Sequence, residues 1–180
     1  MALYAAFLRG VNLGGRRKTG SAELSACFEG IGLEEVQTFR TSGNVVFETG
    51  RESRQKLAGR IERALSESFG FDVVVFLRSA AEVRAIAEHG PFSAKLVSGS
   101  NGKLQVALLP AKPAAGARRE ALELATDADR LAVEDRELYW LPSGGTRDSK
   151  LNRKELEKLV GPWTMRTKGT LELLAEKHFA

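Results

Sequence analysis

Residues 3–8, Leu3-Tyr4-Ala5-Ala6-Phe7-Leu8, form an unbroken apolar run that predicts a buried strand. A glycine-bearing loop follows, Arg9-Gly10-Val11-Asn12-Leu13-Gly14-Gly15. Leu24, Cys27, Phe28 and Ile31 then recur at helical spacing, in a helix that Ser21 can cap and that Gly30 and Gly32 end. Residues 36–40 and 45–48 predict two strands joined through Ser42-Gly43-Asn44, a hairpin. Leu57, Ile61, Ala64, Leu65 and Phe69 share one stripe of an amphipathic helix that stops at Gly70, and residues 73–77 predict another strand. The order over residues 3–77 is β-α-β-β-α-β, the ferredoxin-like arrangement of two helices on one face of an antiparallel sheet.

The pattern then nearly repeats. Ser79 and Glu82 have capping-box spacing for a helix carrying Val83, Ile86 and Ala87 and stopping at Gly90-Pro91. After a polar turn at residues 98–102, Leu104, Val106 and Leu108 alternate in a strand, and residues 113–125 predict a helix. Residues 131–134 and 137–141 form a second hairpin turning at Asp135-Arg136, and Tyr139 and Trp140 point to opposite faces, so at most one of them is core. A Ser- and Gly-rich loop spans residues 142–149. Asn152 and Glu155 open another helix, residues 163–167 suit a short closing strand, and residues 170–178 a last helix. The expected fold class is therefore α+β: two tandem ferredoxin-like (βαββαβ) halves with antiparallel sheets, packed as one compact unit. The expected divisions are 1–78, a connecting helix and loop at 79–98, and 99–180.

The chain has a net charge of +4 and a pI near 9.4, a mild surplus with one dense run at Arg16-Arg17-Lys18. Gathered on one face, such charge attracts phosphate, nucleic acid or acidic substrates; spread out, it serves solubility. The single cysteine, Cys27, excludes an internal disulfide and reads as a small core residue. His89 and His178 are far apart in sequence and no spacing matches a metal site, so no metal and no cofactor are expected. The sequence has no basic leader followed by a long apolar stretch and no run long enough for a membrane span, which predicts a cytoplasmic protein without membrane contact.

Two segments are distinctive together: Phe7-Leu8-Arg9-Gly10-Val11-Asn12-Leu13-Gly14-Gly15 and Thr41-Ser42-Gly43-Asn44-Val45-Val46-Phe47. They resemble the bacterial family catalogued as domain of unknown function 1697. Ser149-Lys150-Leu151 and Thr164-Met165-Arg166 are similar to that family's C-terminal signatures. The resemblance implies a duplicated ferredoxin-like architecture and no assigned activity. The family usually has Asn and Trp after the arginine matching Arg166, where this chain has Thr167 and Lys168. Such a change alters any site supported there, whereas for a plain helix start Thr167 is an adequate cap.

Neither the Arg9–Asn12 loop nor any other has phosphate-loop or dinucleotide spacing, although glycine-flanked backbone N–H groups with an arginine can still hold an anion. The bland alternative is a turn, and Ser42-Gly43-Asn44 is likewise good turn chemistry. If the strand-end loops meet, Arg9, Asn12, Arg40, Ser42, Asn44, Lys150 and Arg166 form one basic pocket. The leading expectation is binding of an anionic small molecule or nucleotide. The alternatives are a metal-independent enzyme on a phosphorylated or carboxylated metabolite, and a nucleic-acid or protein interaction domain using Arg16-Arg17-Lys18. Tyr4, Phe7, Phe39 and Phe47 lie on strands, but no RNA-recognition signature accompanies them, and core packing explains the rings.

Overall fold

A computed structural model describes residues 1–11, 20–41 and 43–180. Asn12, Ser42 and the Arg16-Arg17-Lys18 run lie outside the described residues. The chain divides into two compact units, Met1–Arg84 with Leu174–Ala180, and Ala85–Leu173.

The first unit holds β1 (Ala2–Arg9), α1 (Ser21–Glu29), β2 (Glu34–Phe39), β3 (Asn44–Thr49), α2 (Arg54–Phe69) and β4 (Val74–Ser79). Its antiparallel sheet has the order β2-β3-β1-β4. β1 is central, which explains why its sequence is a run rather than an alternation: both faces are inside. Ala6 and Leu8 pack with Val45, Phe47 and Leu77 beneath the apolar stripes of α1 and α2, while Ala5 and Phe7 on the opposite face are also fully buried. Phe47 touches Phe28 edge-on and stacks on Tyr4, so the strand aromatics are packing groups. Cys27 is half-buried against this core, its thiol 2.9 Å from the Ser68 hydroxyl. Ser53 caps α2 through the Lys56 amide. Ser21 is the first residue of α1 rather than its cap; Gly20 occupies that place and supplies no side-chain bond.

The helix α3 (Ala80–Glu88) begins in the first unit and ends in the second. Its capping box forms as the spacing required: the Ser79 amide donates to the Glu82 carboxylate at 2.8 Å and the Glu82 amide to the Ser79 hydroxyl at 3.3 Å.

The second unit continues with α4 (Ala94–Gly99), β5 (Gln105–Leu108), α5 (Ala115–Glu123), β6 (Asp129–Glu134), β7 (Glu137–Pro142), α6 (Arg153–Val160) and β8 (Thr164–Thr167). Its sheet has the order β6-β7-β5-β8, matching the first with the closing strand present. One face of the sheet packs Ala107, Val133, Leu138 and Trp140 against Leu156 and Val160 of α6. Tyr139, on the other face of β7, is as buried as Trp140, both at 1% exposure. The expectation that at most one is core fails because β7 is central and every one of its residues is buried. The short helix α4 replaces part of the expected polar linker; it has a Ser93 cap and no buried residue, so it carries no apolar stripe for a periodicity argument to find.

The last helix, α7 (Lys168–His178), also crosses the division between the units. Thr167 accepts a bond from the Thr170 amide at 3.3 Å, the geometry of a helix cap. Lys168 is buried, and its ammonium donates to the Ala87 carbonyl in the last turn of α3 at 2.7 Å and to Glu172 at 2.6 Å.

Candidate functional site

Of the seven residues expected to form a basic pocket, Asn12 and Ser42 lie outside the described residues; Arg9, Arg40 and Asn44 belong to the first unit, and Lys150 and Arg166 to the second. In the first unit the hairpin between β2 and β3 closes on the end of β1. Phe39 and Phe7 both pair with Asn44, and the Leu8 amide donates to the Gly43 carbonyl at 2.9 Å. Asn44 is 1% exposed and donates its amide to the Phe39 carbonyl at 2.9 Å, so it spans the turn and fixes its shape. Gly43 has φ of 72°, and a Cβ there would lie 3.1 Å from the Leu8 Cβ; the close approach of turn and strand requires glycine. Arg40 is exposed with φ of 58° and lies over the Phe39 ring at 5.7 Å, while Lys177 of α7 approaches the same ring at 5.8 Å. Arg9, half-buried, ends β1 opposite Val74. The structure thus brings Arg9, Arg40 and Asn44 to one end of the first sheet, with Asn44 in a structural bond.

His178 packs edge-on against Phe39 at 5.7 Å, and its Nε2 is buried without a hydrogen-bond partner. Burial, followed by the neighbouring Lys177 charge, pushes its imidazole below the ordinary histidine value.

In the second unit Arg166 is 8% exposed on β8 and donates to the Thr164 hydroxyl and the Met165 carbonyl, each at 2.8 Å. Desolvation lowers its pKa to about 10, which leaves it charged at neutral pH. Lys150 is exposed in the loop after β7 and lines a recess of about 440 Å³ together with Asp129, Ser149 and Gly144. The floor of this recess is built around Asp129. Its carboxylate accepts the Trp140 indole N–H at 2.8 Å and the Ser149 hydroxyl at 2.7 Å, and Ser149 in turn accepts the Leu151 amide at 3.0 Å. A buried indole needs such a partner, and Asp129 supplies it because β6 begins two residues earlier than its apolar pattern shows. The pairing of Asp129 with Pro142 and of Leu131 with Trp140 puts the carboxylate on the core face. Arg153 covers the Trp140 ring at 5.5 Å.

A second recess of about 590 Å³ adjoins the first through shared Ala128 and Ser143 and has Lys95, Arg130 and Asp127 on its walls beside Leu96 and Leu141. A third, of about 620 Å³, shares Leu96, Asp127 and Arg130 and extends to Phe92 and Leu131. These three adjoining recesses, together termed the trough, lie around the start of β6. Its far wall is set by a tight contact. The Ser100 hydroxyl donates to the Pro142 carbonyl at 2.5 Å, and Gly102 sits where a Cβ would come within 2.3 Å of that carbonyl. Lys95 and Arg130 escaped sequence reasoning because neither lies in a motif; only the fold places α4 and the loop after it beside the start of β6. No group of three or more His, Cys, Asp or Glu side chains among the described residues is arranged to hold a metal ion. No helix among them is long and apolar enough to cross a membrane.

The family described as "Protein of unknown function (DUF1697)" matches residues 1–139, a stretch that contains both distinctive N-terminal segments. The chain belongs to the DUF1697 family. The signatures around Lys150 and Arg166 fall outside the matched residues of this DUF1697 protein. No curated protein matches it. Among solved structures it is similar to the conserved bacterial protein SP0830 from Streptococcus pneumoniae, at 22% identity over 97% of each chain with a TM-score of 0.70. Likeness at that identity establishes the shared fold of the DUF1697 protein and leaves its activity to the site.

Proposed function

We propose that this DUF1697 protein binds a small anionic molecule in the trough of its second unit. The observation that carries the reading is the placement of Lys95 and Arg130 on the walls of the 590 Å³ recess, with Lys150 on the adjoining one. The volume is within the usual range for small-molecule sites. Asp127 and Asp148 line the same recesses, so the cations there stand among carboxylates. That mixture suits a compact ligand with both an anionic group and hydroxyl donors. It suits a nucleic-acid backbone poorly, because every additional phosphate would meet a carboxylate.

A panel of phosphorylated and carboxylated metabolites titrated by calorimetry tests this. The expected result is binding of at least one member that falls tenfold or more in the Lys95→Ala/Arg130→Ala double variant. The melting temperature should hold, since both side chains are exposed and such changes typically cost under about 0.5 kcal/mol. Undiminished binding by the double variant, or no binding by the native protein, contradicts the reading. Chemical conversion of a bound metabolite would move the reading to a metal-independent enzyme.

A second place for an anion is the sheet end in the first unit. Arg40 and Lys177 flank the Phe39 ring there, and neither is paired with a carboxylate among the described residues. Loss of binding in Arg40→Ala with no effect at Lys95 and Arg130 would favour it.

A further inference from the structure

The outer edge of β6 offers the trough more than side chains. Asp129 exchanges backbone hydrogen bonds with Thr126, its amide donating at 3.2 Å and its carbonyl accepting at 2.9 Å. Both groups of Asp129 therefore point away from β7. The direction of backbone groups repeats every second residue along an antiparallel strand, and the β6–β7 register runs without a bulge from Asp129 to Glu134. Leu131 and Val133 must then also direct their N–H and C=O groups outward. The Val133 carbonyl confirms this parity, since Arg118 of α5 reaches it from outside at 3.2 Å. Asp129 is satisfied by Thr126 and the Val133 carbonyl by Arg118, whereas no hydrogen bond among the described residues engages the outward N–H and C=O of Leu131.

Leu131 lines the 620 Å³ recess with half-buried Phe92 and exposed Leu96, and Arg130 and Asp127 stand where this recess meets the next. A flat group entering between Phe92 and Leu96 would meet a donor and an acceptor side by side on one strand residue. That edge complements a planar group carrying an acceptor beside a donor, as the edges of nucleobases do. A ribose attached to such a base would lie near the Asp127 carboxylate, which accepts hydroxyl hydrogens. A phosphate beyond it would reach Lys95 and Arg130. Phe92 and Leu131 line one recess, Lys95 lines the next, and Leu96, Asp127 and Arg130 line both, so base, sugar and phosphate each find a group of matching chemistry.

We infer that the ligand of this trough is a nucleoside monophosphate or its close relative, with the base read by the backbone of Leu131 and the phosphate held by Arg130 and Lys95. The inference rests on the anion-binding reading above and adds the part of the ligand that carries no charge.

The test compares AMP, GMP, CMP and UMP with ribose 5-phosphate on the full chain. At least one nucleotide should bind tenfold or more tightly than ribose 5-phosphate, and it should slow hydrogen exchange of the Leu131 amide where ribose 5-phosphate does not. Leu96→Ser, an exposed position, should remove most of the nucleotide's advantage over ribose 5-phosphate. If ribose 5-phosphate binds and no nucleotide binds more tightly, the base-reading inference fails while the anion site stands. An unprotected Leu131 amide in the nucleotide complex, or an advantage untouched by Leu96→Ser, also overturns it. If none of the five compounds nor any other anion of the metabolite panel binds, both readings fall together.

Discussion

The Asp129 carboxylate shows how a single side chain serves core and site at once. It anchors Trp140 from below and holds Ser149 beside Lys150. Asp129→Leu removes the acceptor from a buried indole and a hydroxyl together, and should destabilise the protein by about 2–4 kcal/mol. Asp129→Asn keeps an acceptor oxygen and should cost roughly half as much or less; urea denaturation followed by tryptophan fluorescence separates the two. Equal losses would show that the hydrogen bonds are unimportant. His178 gives a pH dependence whose sign is fixed. Its pKa is lowered in the folded chain, by burial first and by Lys177 second, so below the ordinary histidine value of 6.5 the unfolded chain takes up the proton more readily. Stability should decline as pH falls through 6.5, and His178→Phe should flatten that decline in melts between about pH 7.5 and pH 5.5. A decline unchanged by the substitution would assign it to other groups. Asn44 illustrates the limit of reading residues from a motif: it was legible as a turn residue, and only the structure reveals that its amide is spent on the Phe39 carbonyl.

Among the elements, the strands and amphipathic helices were legible wherever burial is one-sided or complete. The stripe of α2, the capping box of α3 and the Asn152 cap of α6 all stand where spacing put them. What spacing could not show is contact between distant segments. The structure gives Lys168 a role of its own, closing the C-terminal turn of α3 through the Ala87 carbonyl. A cation there also complements the helix dipole, and α3 has no basic residue in its own last turn. Lys168→Met keeps the aliphatic stem and removes the bond; a loss of about 1–2 kcal/mol is expected in chemical denaturation. A neutral outcome would mean the ammonium only tolerates its burial. The start of β6 was misplaced from sequence because Asp129 and Arg130 break the apolar alternation that marks the rest of the strand.

For the molecule as a whole, the duplicated β-α-β-β-α-β order was the most legible feature, and two four-stranded antiparallel sheets of matching strand order bear it out. The site was far less legible. The motif residues drew attention to loops of both units, yet Asn44 and Arg166 are tied into their own strands, and apart from Ser149 and Lys150 the trough is lined by residues with no motif. A trough assembled from α4, the start of β6 and the loop after β7 has no sequence signature, because these segments lie far apart in the chain and are brought together only by the fold. The central claim is that an anion binds along β6 in the second unit. Amide chemical shifts of the isotopically labelled protein, followed during titration with the tightest-binding anion, test it most directly. Saturable shifts confined to Lys95 through Asn101, Asp127 through Leu131 and Ser143 through Lys150 are expected; shifts centred on Arg40 and Lys177 instead, or none anywhere, would overturn the assignment.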